Sequence, residues 1–173
     1  MKTHTSETQS TITPEKALEF LKEGNSRFVQ NLKANRDLLS QVNDTREGQW
    51  PFAVVLSCID SRTSAELIFD QGLGDIFSVR IAGNFVNQDI LGSMEFGTNV
   101  AGSKLIVVLG HTKCGALKGG LDAAAIHTTG MNNLCHLVDH FNPIIEEIIQ
   151  DGEERSSKNG DLLERLNHQN VKQ

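Results

Sequence analysis

The feature that most constrains this chain is an unbroken apolar run, Phe52-Ala53-Val54-Val55-Leu56, set between Pro51 and the polar stretch Ser57-Cys58-Ile59-Asp60-Ser61-Arg62. A short run rich in Val and Leu, with a proline before it and polar residues after it, reads as a parallel strand buried on both faces. Open α/β sheets gather their ligands at the carboxyl ends of such strands. Cys58, Asp60 and Arg62 would therefore open at that edge as a thiolate, a carboxylate and a guanidinium. A second run, Leu105-Ile106-Val107-Val108-Leu109, ends in Gly110 and then His111-Thr112-Lys113-Cys114. Either motif alone is weak, because a cysteine at a strand end is often only a small buried hydrophobe. Together they bring two sulfurs, one imidazole and an available carboxylate to one sheet edge, a donor set that suits tetrahedral zinc.

Composition narrows the function classes. The net charge of -6 and the pI near 5.5, with no cluster of Lys or Arg, exclude a nucleic-acid footprint. No apolar run approaches the roughly 20 residues that span a bilayer. The polar start, Met1 to Ile12, lacks the apolar segment of a secretory signal. Three cysteines cannot all pair, and two of them sit in metal-type spacing, so a reducing cytoplasm is expected rather than a disulfide scaffold.

The expected organisation is a flexible arm over residues 1–12 and one domain over 13–173. Thr13 and Pro14 mark a helix start, and Leu18, Leu21, Phe28 and Leu32 continue its apolar face past Gly24. Residues 35–48 read as a polar connection. A short helix follows Arg62, then a strand over 76–81, a helix over 90–100, the strand over 105–109 and a helix over 115–125. From Leu134 a helical period continues, with Pro143 kinking or splitting it. A charged loop over 151–160 leads to a last helix from Asp161. The fold class is α/β, a central parallel sheet flanked by helices.

Two states of the metal site are open. With Asp60 as a ligand, the shell of Cys58, Asp60, His111 and Cys114 is closed. With Asp60 turned away, three protein ligands leave a fourth position for water, and Arg62 could hold Asp60 off by a bidentate ion pair. Cys135, His136 and His140 form a second cluster at helical spacing. They read as a buried thiol beside exposed histidines rather than as another metal site.

The chain resembles the β-class carbonic anhydrases. The resemblance rests on Ser57-Cys58-Ile59-Asp60-Ser61-Arg62, Gly74-Asp75-Ile76-Phe77, Arg80-Ile81-Ala82-Gly83-Asn84 and Gly110-His111-Thr112-Lys113-Cys114-Gly115, and runs from about Pro14 onward. It implies one zinc ion per chain on Cys58, His111 and Cys114, with Asp60 and Arg62 as the catalytic gating dyad. It implies a substrate pocket at Gln49, Phe77, Ala82, Phe96 and Gly115. The implied activity is reversible hydration of carbon dioxide to bicarbonate and a proton, by attack of zinc-bound hydroxide. A homodimer or higher homo-oligomer is implied too, with the N-terminal helix reaching across to the partner. Carbonyl sulfide or carbon disulfide could undergo the same attack, and a non-catalytic zinc-holding module is the competing class. Two departures stand out. The regulatory bicarbonate site of some members pairs a Trp and a Tyr with an arginine matching Arg80; here Val55 takes the Trp place and the chain has no Tyr, which favours the open form. The family's last strands are also missing, so the chain is expected to be a fragment or to need a covering partner for the strand over 105–109.

Overall fold

The structure is a computed structural model and describes residues 3–172. Three parallel strands, β1 (Ala53–Ser57), β2 (Ile76–Arg80) and β3 (Leu105–Leu109), form a sheet in the order β2-β1-β3, flanked by helices. Every residue of β1 is buried, whereas β2 mixes buried and exposed positions and β3 is half-buried throughout except for exposed Ile106. That is why the run over 52–56 is apolar without a break: the middle strand is covered on both faces. The expected α/β class with a central parallel sheet is the architecture observed.

The chain divides into two compact units. The first comprises Met1–Ser57, Ser61–Val79 and Val86–Val108. It holds α1 (Ser6–Ser10), α2 (Pro14–Val29), α3 (Leu38–Asp44), α4 (Ala65–Ile68) and α5 (Gln88–Glu95). In α2 the Thr13 hydroxyl accepts the Lys16 N–H at 3.2 Å, and Ala17 and Leu21 are buried. Gly24 lets α2 reach the end of α4, since a Cβ there would fall 1.6 Å from the Phe69 carbonyl oxygen.

Several expectations are corrected in this unit. The residues expected as a flexible arm include α1, capped by Thr5. Buried Gln9 docks that helix, its Nε2 donating to the carbonyls of Pro51 at 2.7 Å and Ala101 at 2.8 Å. Met1 and Lys2 lie outside the described residues. The polar connection of 35–48 contains α3, whose N-cap Asp37 accepts the Ser40 N–H at 3.0 Å. The helix expected over 90–100 is α5 followed by a π-type turn over Phe96–Val100. The widened turn seats Gly97 on β1, where a Cβ would lie 2.5 Å from Val54 Cγ2.

The second unit comprises Cys58–Asp60, Arg80–Phe85 and Leu109–Gln173. It carries α6 (Gly115–Leu121), α7 (Ala123–His127), α8 (Asn132–Asp139), α9 (Asn142–Ile148) and α10 (Gly160–Lys172). Pro143 does split the helical period, sitting in the first turn of α9, where its missing N–H costs nothing. The core joins Leu117 and Leu121 of α6, Phe141, Ile144 and Ile145, and Leu162 and Leu166 of α10, with Phe85, Cys58 and Cys114. In the last helix Leu162 and Leu166 are fully buried, each worth about 1.5–3 kcal/mol of apolar transfer. Among the described residues no helix is long and apolar enough to cross a membrane.

Candidate metal centre

Cys58 directly follows β1, and His111 and Cys114 follow β3 after Gly110. Parallel strands end on one edge, so two distant sequence segments converge. One nitrogen or sulfur from each of Cys58, His111 and Cys114 lies within 4.8 Å of the others. Both cysteines are buried, their sulfurs 3.9 Å apart. A disulfide needs about 2.05 Å. Two thiolates on one tetrahedral zinc, at about 2.3 Å each, stand about 3.8 Å apart.

The imidazole is prepared for a metal as well. His111 Nδ1 lies 3.1 Å from the Thr112 carbonyl oxygen. A carbonyl only accepts, so Nδ1 carries the proton and Nε2 presents a lone pair. That Nε2 is buried with no hydrogen-bond partner. A buried nitrogen with an unused lone pair beside two sulfurs fits a soft divalent cation. Burial, and the Cys58 sulfur beside it, push the Cys114 thiol up from its ordinary value. The Cys114 sulfur becomes a thiolate at low cost only when a cation sits beside it.

The residues around the donors hold them in place. Arg80, at the end of β2, donates from Nε to the Cys58 carbonyl at 3.0 Å and from Nη2 to the Asp60 carbonyl at 2.7 Å. The Gly83 N–H donates to Cys58 Sγ at 3.3 Å. Asp60 stands beside the donors without belonging to their cluster, Oδ2 being 3.9 Å from His111 Nδ1. The backbone roles of Arg80 and Gly83 escaped the sequence reading, because their motif says that they matter and not which atoms they bind.

The remaining expected residues are distributed between the units. Arg62 lies in a 3-10 turn over Ser61–Thr63 of the first unit. Phe77 and Phe96, also of that unit, have ring centroids 6.5 Å apart, and Gln49 is exposed. Ala82, half-buried, and Gly115, exposed, belong to the second unit. The first unit has a cavity of 680 Å³ between α2 and α4, lined by Phe28, Leu32, Arg36, Leu38, Leu67 and Asp70 among others. None of the expected pocket residues lines it. In the other histidine cluster, Cys135 is half-buried rather than buried. His136 is exposed, and His140 stacks on Phe85 at 4.3 Å.

Comparison with known proteins points the same way. The family model described as carbonic anhydrase matches residues 53–173. Carbonic anhydrase 2 of Mycobacterium tuberculosis is 48% identical over 114 residues, covering 64% of this chain and 54% of that protein. The carbonic anhydrase of Mycolicibacterium smegmatis is 47% identical over 112 residues, with the same coverage. The chain thus spans about half the length of these curated relatives. Among solved structures, the β-carbonic anhydrase CafA of Aspergillus fumigatus superposes with a TM-score of 0.63 at 25% identity, over 91% of this chain and 71% of that one.

Proposed function

Because the chain belongs to the β-class carbonic anhydrase family, we propose that it hydrates carbon dioxide reversibly to bicarbonate and a proton. The observation that carries this reading is the convergence of Cys58, His111 and Cys114, with the buried His111 Nε2 left unpartnered. Zinc is the ion proposed there, because two sulfurs and one imidazole match its preference. When bound, zinc supplies a Lewis acid that lowers the pKa of water from about 15.7 towards 7.

The chain's own residues supply the rest. Thr112, through its carbonyl, fixes the His111 tautomer. Arg80 ties the backbone of Cys58 and Asp60, so that the carboxylate is presented beside the donors and not left on a free loop. We propose the state with three protein ligands, in which Asp60 stays off the metal and accepts a hydrogen bond from the attacking oxygen, so that its lone pair is aimed at the substrate carbon. Arg62 as the partner that restrains Asp60 belongs to the same proposal. So does the pocket of Gln49, Phe77, Ala82, Phe96 and Gly115, on their places in the family's motifs. A cytoplasmic homodimer with one zinc per chain completes it.

The test is oxygen-isotope exchange between labelled carbon dioxide and water on zinc-loaded protein. Exchange well above the buffer rate, lost in Cys58→Ser, supports the proposal. A zinc-loaded parent that exchanges no faster than buffer overturns it and leaves a zinc-holding module.

A further inference from the structure

Asn170, in the final turn of α10 and 6% exposed, donates from Nδ2 to the Gly83 carbonyl at 2.8 Å. Gly83 in turn donates its N–H to Cys58 Sγ. The glycine has φ +79°, and a Cβ on it would lie 2.4 Å from Phe141 Cζ, so a residue without a side chain is required at this turn. The same turn of α10 braces the other ligand segment. A Cβ on Gly110, which precedes His111, would lie 2.7 Å from Val171 Cγ2 and 2.9 Å from Asn167 Oδ1.

We propose that Asn170 is a positioning residue for the metal centre: by holding the Gly83 carbonyl it aims the Gly83 N–H at Cys58 Sγ. The inference rests on the metal reading above. A thiolate that accepts an N–H bond carries less charge and binds its ion in a defined direction, and such outer contacts orient and tune metal ligands. Without the amide, the Gly83 carbonyl loses a buried partner, the backbone dihedrals of Gly83 relax, and the neighbouring peptide that carries the Gly83 N–H is no longer held towards Cys58 Sγ.

The test uses the full chain with cobalt in place of zinc. Asn170→Asp keeps the shape and removes the donor; Asn170→Ser shortens the side chain, should the carboxylate prevent folding. Both are expected to move the sulfur-to-cobalt charge-transfer band to lower energy, since the thiolate becomes a better electron donor. Zinc transfer to a chelator should speed up by about tenfold, the lower end of the effect of such outer contacts. Leu162→Ala, in the core of the same helix, serves as the control: it should lower stability and leave the band in place. A band and a zinc-loss rate equal to the parent's in a folded Asn170 variant overturn the inference. So does a shift in Leu162→Ala as large as that in the Asn170 variants. A parent with no thiolate charge-transfer band at all sinks the metal reading itself, a distinct result.

Discussion

At Gly83 a single residue answers to two demands. Its positive φ is cheap only for glycine, and its missing Cβ leaves room for the Phe141 ring. Gly83→Ala should therefore cost about 2–4 kcal/mol, combining a left-handed backbone with overpacking, and chemical denaturation will read it. Cys58 and Cys114 make a different prediction, because the lost property is chemical. Cys58→Ser or Cys114→Ser should fold and yet lose both bound zinc and isotope exchange, as measured by metal analysis of the purified protein. Stoichiometric zinc with full turnover in Cys58→Ser would remove that cysteine from the ligand set. The local residue types made these cysteines legible. Gly83 was legible only as part of a motif, since its partners lie 25 and 87 residues away in sequence.

Elements show where charge holds the architecture. Asp70, at the end of α4, receives Arg27 Nε at 2.5 Å, Arg36 Nη1 at 2.5 Å and the Ala34 N–H at 3.0 Å. Arg36 Nη2 also donates to the Asp70 carbonyl. Burial alone would raise this carboxyl, but the bonds from Arg27, Ala34 and Arg36 outweigh it and hold the pKa below the ordinary value. A depressed carboxylate contributes stability that is complete above its unfolded pKa, about 3.9, and is lost as pH falls through the lower folded value. Acid unfolding should thus have a component below about pH 4 that Asp70→Asn removes. Asparagine tolerates the positive φ of 43° at this position, so the substitution isolates the charge. It should cost about 3 kcal/mol near neutrality, because Arg27 and buried Arg36 both lose the carboxylate charge they face. Nothing in the sequence marks this network, which joins α2, the segment before α3 and α4. In the sheet, β3 has β1 as its one neighbour among the described residues. Its amides should exchange in an alternating slow and fast pattern, unlike the uniformly protected β1, and hydrogen exchange over 105–109 reads this directly.

Across the whole molecule the metal should act as a structural ligand. The donors come from segments far apart in sequence, so the unfolded chain offers no preformed site. Zinc should raise the melting temperature, with a stabilisation of about 2.7 kcal/mol at a hundredfold excess over Kd. A chelator should reverse the shift, and Cys58→Ser should abolish it. The last helix is the clearest case of a whole-molecule property. Leu162 and Leu166 have the spacing of one helix face, yet their partners on α6 and α9 appear only once the chain has folded.

The sequence by itself determined the short strands, their parallel class and the two ligand motifs, because these are local. Apolar runs without alternation report burial on both faces, and residue type and spacing report donor chemistry. The split at Pro143 and the capped start of α2 were legible for the same reason. Only the tertiary structure decided that Ser6–Ser10 docks as a helix through Gln9, that Arg80 binds two carbonyls, and that Asn170 reaches Gly83. Each of these is a hydrogen bond to a backbone group. Backbone groups are identical at every position, so no pattern of side chains can say in advance which one a distant residue will find.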